Sequence, residues 1–161
     1  EWDEDKLAVG YRGAERWATP IEPLWADDGP YWNLRCNGGI LSTVGDMYKW
    51  HKALLTDTVL SDQARERMFT PFAKEDPEGI SYYGYGWVAV ESNTFGGRLI
   101  THNGGNGYFF ADCYRYIDAD IFLIIMCNNA QQFDRVGPLL SIIAGNDVPL
   151  PDPNPPQWKQ I

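Results

Sequence analysis

The residues best suited to chemistry lie in one stretch, Thr101-His102-Asn103-Gly104-Gly105-Asn106-Gly107-Tyr108. It reads as an edge strand ending in His102-Asn103-Gly104-Gly105, a turn that glycine permits, and two further strands, the last being the apolar run Ile121 to Cys127. Taken alone, the stretch is described at least as well by a glycine-rich hairpin carrying an incidental histidine. A phosphate cradle is a poorer reading, because no Gly-Lys-Ser/Thr follows.

Other candidate groups are weaker. The serines are Ser42, Ser61, Ser81, Ser92 and Ser141, and none has a lysine three positions later. Gly79-Ile80-Ser81-Tyr82-Tyr83 is half of a nucleophile-elbow pattern and fails at its last glycine, so it reads as loop. Cys36, beside Asn37-Gly38, is the candidate reactive thiol, and a Cys36–His dyad would need a spatial adjacency that spacing does not supply. Cys113 alternates with aromatic neighbours and Cys127 sits in the apolar run, so both read as packing thiols. His51 falls on the apolar stripe of a helix and reads as a core or boundary residue. Asp3-Glu4-Asp5, Asp27-Asp28 and Glu75-Asp76 read as solvated loop charges.

The His102 stretch comes with two companions, Gly38-Gly39-Ile40-Leu41-Ser42-Thr43-Val44-Gly45-Asp46 upstream and Tyr83-Gly84-Tyr85-Gly86-Trp87 between. That order and spacing resemble the C-terminal part of the serine beta-lactamase and penicillin-binding-protein superfamily, on its class C and esterase-like side. The resemblance runs from about Leu7-Ala8-Val9-Gly10-Tyr11 to Ile143. It implies a partial beta-lactamase/transpeptidase-like fold and acyl transfer through a serine ester, on beta-lactams, D-alanyl peptides or esters. No metal or organic cofactor is implied.

By that resemblance His102 takes the family's Lys/His position in the third motif, facing a substrate carboxylate or leaving group. Asn103 is the variable middle residue of the motif. Gly104 lets a substrate backbone approach without a Cβ in the way. Gly105 takes the position whose N–H supplies half of an oxyanion hole, where donors stabilise charge developing in the transition state. The family's nucleophile motif, Ser-x-x-Lys, occurs nowhere in these 161 residues. Tyr31-Trp32-Asn33 matches the family's Tyr-x-Asn only superficially: Leu34-Arg35-Cys36-Asn37-Gly38-Gly39 follows it, where the family has a long apolar helix.

The expectation is therefore the C-terminal piece of a serine hydrolase, from a longer reading frame and inactive by itself. The competing expectation is a non-catalytic binding or oligomerisation module using aromatic residues near Trp87, Tyr108 and Phe110. A cysteine hydrolase using Cys36 is a third. The resemblance further implies that missing N-terminal strands leave sheet and apolar surface open. Self-association, with a homodimer as the commonest form, or the chain's own residues 1–37 would close that gap.

Composition narrows the partners. A net charge of −9 repels phosphate backbones and anionic lipid, so nucleic acid is an unsuitable partner, and no apolar run is long enough to span a bilayer. The ligand that the family resemblance implies is a small acyl or peptide molecule. Three cysteines and two histidines, widely spaced, exclude an ordinary zinc site. The 44% apolar content in 161 residues allows a core that buries roughly 70% of the unfolded surface.

These residues need elements to position them. Val44, Met47, Tyr48, His51, Leu54 and Leu55 follow helical spacing behind a Thr43 cap, with Asp46 as a shortened capping box. A second short helix should begin after Ser61 and stop before Pro71. Strands are expected near 86–90, 98–103, 108–116 and 121–127, giving an α+β fold with an antiparallel meander of about four strands. Ile121 to Met126, apolar throughout, should be covered on both faces. A helix containing Val136, Leu139, Leu140 and Ile143 should follow, with Pro138 in its first turn and Gly145-Asn146 ending it. Residues 1–146 are expected as one partial domain, with a loop-rich segment over 1–37 anchored by Trp17, Trp25 and Trp32. Residues 147–161 form a proline-rich extended tail.

Overall fold

The computed structural model describes residues 3–22, 37–91, 95–129, 136–143 and 145. Trp25, Trp32, Tyr31-Trp32-Asn33, Cys36, Asp27-Asp28, Ser92, Asn146 and the proline-rich tail lie outside them. The chain is α+β, divided into two compact units. One comprises residues 42–103 and 111–125; the other comprises 1–41, 104–110 and 126–161.

In the first unit the helices form where their caps dictate. Thr43 accepts from the Asp46 amide at 3.1 Å and starts α1 (Val44–Ala53). The Asp46 carboxylate accepts from the Thr43 hydroxyl at 3.2 Å rather than reaching back to an amide, which is the shortened form of the box. Ser61 accepts from the Ala64 amide and starts α2 (Asp62–Met68). Only His51 and Leu54 of the expected α1 stripe are buried, whereas Val44, Tyr48 and Leu55 stay exposed.

Among the described residues six strands form one sheet in the order β3 (Ala73–Lys74), β4 (Ser81–Tyr83), β5 (Val88–Glu91), β6 (Arg98–Gly105), β7 (Phe110–Tyr116) and β8 (Ile121–Cys127). Neighbours in the sheet are neighbours in sequence, so the meander is as expected, but longer by β3 and β4. Those strands have two and three residues, too few to show a period, and the segment at Ser81 is strand rather than loop. Two other expectations are corrected. Strand β6 is not an edge strand, since β5 and β7 flank it. Strand β8 is not covered on both faces: its residues are half-buried and Met126 is exposed. It stands last in the sheet order, where packing comes from fewer neighbours.

The core of this unit is Leu54 and Phe69, at the C-terminal caps of α1 and α2, with Trp87, Ala89, Ile100 and Cys113. Each large apolar side chain buried there contributes about 1.5–3 kcal/mol. Arg115 of β7 is 1% exposed within this same region. Its Nε donates to His51 Nδ1 at 3.2 Å, and its guanidinium lies 4.6 Å from the Phe69 ring centre and 5.7 Å from that of Trp87. The His51 ring also stacks on Phe122 at 4.3 Å.

The second unit opens with a short 3-10 helix (Glu4–Lys6) and the hairpin β1 (Tyr11–Arg12) to β2 (Glu15–Arg16), turning at Gly13 with φ 63°. Trp17 stacks face to face on Tyr108, 3.8 Å between centres, and meets Phe109 edge-on. Phe109 fills the space that a Gly10 side chain would take, with ring atoms 2.9 Å from an ideal Cβ. The hairpin is tied to the chain after β8: the Tyr11 amide donates to the Asn128 carbonyl, and the Asn128 and Asn129 amides donate to the Val9 and Gly13 carbonyls. Helix α3 (Val136–Ile143) carries Pro138 in its first turn and is followed by Gly145 at φ 81°.

Because His51 accepts from a guanidinium, it must be neutral. Burial, then the Arg115 cation and Lys52, hold its pKa below the ordinary imidazole value, opposed only by Asp120. Between that lowered native value and the unfolded value of about 6.5, the unfolded chain binds the extra proton, so stability rises with pH. Urea unfolding should show lower stability at about pH 5.5 than at about pH 7.5, and the difference should shrink in His51→Gln. An equal pH slope in that variant would refute the assignment.

Candidate active site

Strand register creates the exposed ledge on which the sequence motif sits. Val88, Ala89, Val90 and Glu91 of β5 pair with Thr101, Ile100, Leu99 and Arg98 of β6, and the pairing ends there. His102, Asn103, Gly104 and Gly105 therefore continue β6 beyond the start of β5, and all four are exposed. An interior strand has become locally an edge at its motif end.

The turn before β5 is what cuts that strand short. A side chain at Gly84 would meet the Thr70 carbonyl oxygen at 2.8 Å and that of Met68 at 3.1 Å. Glycine is thus needed where the end of α2 presses on the turn. The Gly84 amide donates to the Trp87 carbonyl at 2.7 Å, and Gly86 takes φ 74°, open to glycine without strain. Trp87 then plugs the core. This accounts for Tyr83-Gly84-Tyr85-Gly86-Trp87 as a structural unit, and it corrects the expectation that Trp87 lines a binding surface. Tyr108, from the same expectation, is occupied by its stack on Trp17.

The same register brings Tyr83 of β4 to the motif. Tyr83 pairs with Val88, and Val88 pairs with Thr101, one residue before His102. The Tyr83 hydroxyl lies 2.7 Å from His102 Nε2, with the rings edge to face at 5.8 Å. Nothing in the sequence pairs these two residues, which stand 19 positions apart. Only the strand order could have revealed it.

The two motif glycines meet different surroundings. At Gly104 an ideal Cβ has nothing within 4 Å among the described residues, which leave the strand face there open to an approaching molecule. At Gly105 the Cβ would lie 2.9 Å from the Phe109 carbonyl oxygen and 3.2 Å from the Phe110 ring. The hairpin beyond is closed by Asn106, whose side-chain oxygen accepts from the Tyr108 amide at 3.1 Å and the Phe109 amide at 2.9 Å. Gly107, at φ 87°, completes the turn.

Adjacent strand β7 carries a second polar group absent from the sequence reading. Asp112 is 2% exposed and accepts hydrogen bonds from Tyr114 and, at 3.4 Å, from Thr101. Burial pushes its carboxyl above the ordinary carboxylate value, with Tyr114 pulling the other way. Burial and the Asp112 partner together raise the Tyr114 hydroxyl.

Other candidates are engaged elsewhere. His51 is bound to Arg115, and burial pushes the Cys113 thiol up to about 11, which suits packing rather than attack. Cys127 exchanges contacts with the Asn129 main chain. Ser61 is a helix cap. Asp3, Glu4, Asp5, Glu75 and Asp76 are exposed, as solvated charges should be.

A family model described as Beta-lactamase matches residues 3–144. In sequence the chain is 28% identical over 123 residues to Penicillin-binding protein 4* of Bacillus subtilis (strain 168), covering 74% of this chain and 27% of that protein. In structure it is similar to the octameric penicillin-binding protein homologue from Pyrococcus abyssi, with a TM-score of 0.69 and 22% sequence identity. That match covers 90% of this chain and 33% of the homologue. The chain thus spans between 27% and 33% of the length of these relatives.

Neither Gly104 nor Gly105 has a positive φ, so neighbours alone decide what a methyl group costs. Gly105→Ala should lower stability by about 1–3 kcal/mol, as overpacking against a backbone oxygen does. Gly104→Ala should stay within about 0.5 kcal/mol of the parent. Urea denaturation of both variants measures this, and equal costs would contradict the geometry.

Proposed function

The chain belongs to the beta-lactamase family, and from that premise we propose that it is the C-terminal part of a beta-lactamase-related serine hydrolase, supplying one wall of an acyl-transfer cleft. Its substrates would be those of acyl transfer through a serine ester: beta-lactams, D-alanyl peptides or small esters. His102 faces the substrate carboxylate or leaving group, Gly104 admits the substrate backbone, and the Gly105 N–H is half of the oxyanion hole. Asn103 lies between them in the motif. The observation that carries this reading is the ledge itself: a motif of reactive type standing exposed beyond the end of β5, with space over Gly104 left open by the described residues.

On this reading the attacking serine belongs to a segment preceding the 161 residues, since no Ser-x-x-Lys occurs within them. Removing the nucleophile from a serine hydrolase costs about 10⁶ in turnover, roughly 8 kcal/mol of barrier. The chain by itself is then inactive, and its natural partner is either that N-terminal half or further copies of itself. A second reading, a non-catalytic binding or oligomerisation module, draws support from the octameric relative. Exposed Val44, Tyr48 and Leu55 of the α1 region support it too, being apolar side chains suited to an interface.

Intact-mass measurement after incubation with a fluorophosphonate or a penicillin separates these ideas. The 161-residue chain should gain no stoichiometric adduct, whereas a longer protein including an upstream Ser-x-x-Lys should gain one. In that longer protein His102→Ala should slow acylation by about 10²–10³, the usual cost of one lost transition-state contact. An adduct on the short chain, or unchanged acylation in the variant, would remove the proposal. Light scattering during size exclusion reports the self-association.

A further inference from the structure

We propose that Tyr83 is a positioning residue for His102, fixing the imidazole so that Nδ1–H always points outward as a hydrogen-bond donor. The inference rests on the reading of His102–Gly105 as an acyl-transfer wall, and it adds what that wall selects: a ligand group that accepts hydrogen bonds, a carboxylate above all.

The contact at Nε2 is where the proposal starts. A neutral imidazole has one donor nitrogen and one acceptor nitrogen. With the Tyr83 hydroxyl donating to Nε2 across 2.7 Å, the ring proton resides on Nδ1. If the ring takes up a second proton, Nε2–H donates to the phenol oxygen instead, and Nδ1–H is again a donor. Tyr83 serves both charge states because a hydroxyl can donate or accept. No hydrogen bond engages Nδ1 among the described residues, so that nitrogen is left for a ligand. His102 then greets an incoming oxygen as a donor and does not accept a proton through Nδ1.

Tyr83 is itself held firmly enough to do this. Its main chain pairs with Val88 on one side and Ala73 on the other. Its carbonyl accepts from the Phe72 amide at 3.2 Å, and the next residue is locked by the Gly84 to Trp87 bond at 2.7 Å. The edge-to-face contact fixes the plane of the imidazole, and the hydroxyl fixes which nitrogen carries the proton.

Long-range proton–nitrogen correlation spectra of the nitrogen-15-labelled chain read the tautomer directly. The chain has two histidines, so His102→Gln assigns the signals. In the parent near neutral pH, His102 should show the Nδ1–H signature. Tyr83→Phe keeps the ring contact and deletes the hydroxyl; it should lose that signature in favour of Nε2–H while the thermal midpoint holds. A parent spectrum dominated by Nε2–H, or a Tyr83→Phe spectrum unchanged from the parent, overturns the proposal. The parent spectrum decides even if the variant does not fold. Adduct formation in the longer protein tests the acyl-transfer reading on its own, so either idea can fail without the other.

Discussion

A guanidinium without a carboxylate, buried behind the strands that bear the motif, is the constraint that organises the larger unit. Arg115 has no acidic partner among the described residues, and two of its nitrogens make no hydrogen bond there. Taking such an ion out of water costs several kcal/mol even after relaxation. The surroundings offset this in the two ways open to them. The faces of Phe69 and Trp87 supply cation–π attraction, about 2 kcal/mol for a desolvated contact, and His51 supplies an acceptor nitrogen. That arrangement draws α1, the end of α2, β5 and β7 onto one side chain. It also spends one of the chain's two histidines, leaving His102 alone for chemistry.

From the same packing comes the ledge. Trp87 can reach Arg115 and Phe69 only if the chain turns sharply before β5, and Gly84 and Gly86 make that turn possible against the carbonyls ending α2. A sharp turn shortens β5, and a short β5 leaves the last four residues of β6 unpaired on that side. The exposed motif is thus a consequence of core packing several residues away. Tyr83 sits where β4 enters the turn, which is why its hydroxyl meets His102.

Much of this was legible in sequence. Helices α1 and α2 announce themselves through Thr43 and Ser61, because capping is a local bargain between one side chain and the nearest amides. Strand β8 was visible as an unbroken apolar run, and the Pro138-containing helix by its spacing. Strands β3 and β4 were not, since two or three residues hold no period and their extended form is imposed by β5. The supposed edge position of β6 failed for a similar reason: glycines near a strand end report local freedom, not which strands lie alongside.

Sequence by itself determined the helices and the longer strands, the apolar pattern, the family motif and the absence of Ser-x-x-Lys from these residues, because each depends on neighbours along the chain. Tertiary structure alone decided that Arg115 and His51 would pair across 64 positions and that Tyr83 would face His102. It also decided that Gly105 is hemmed in while Gly104 is open. Those outcomes depend on register and on which surfaces meet, and hydrogen-bond geometry acts over a few ångströms of space regardless of distance along the chain.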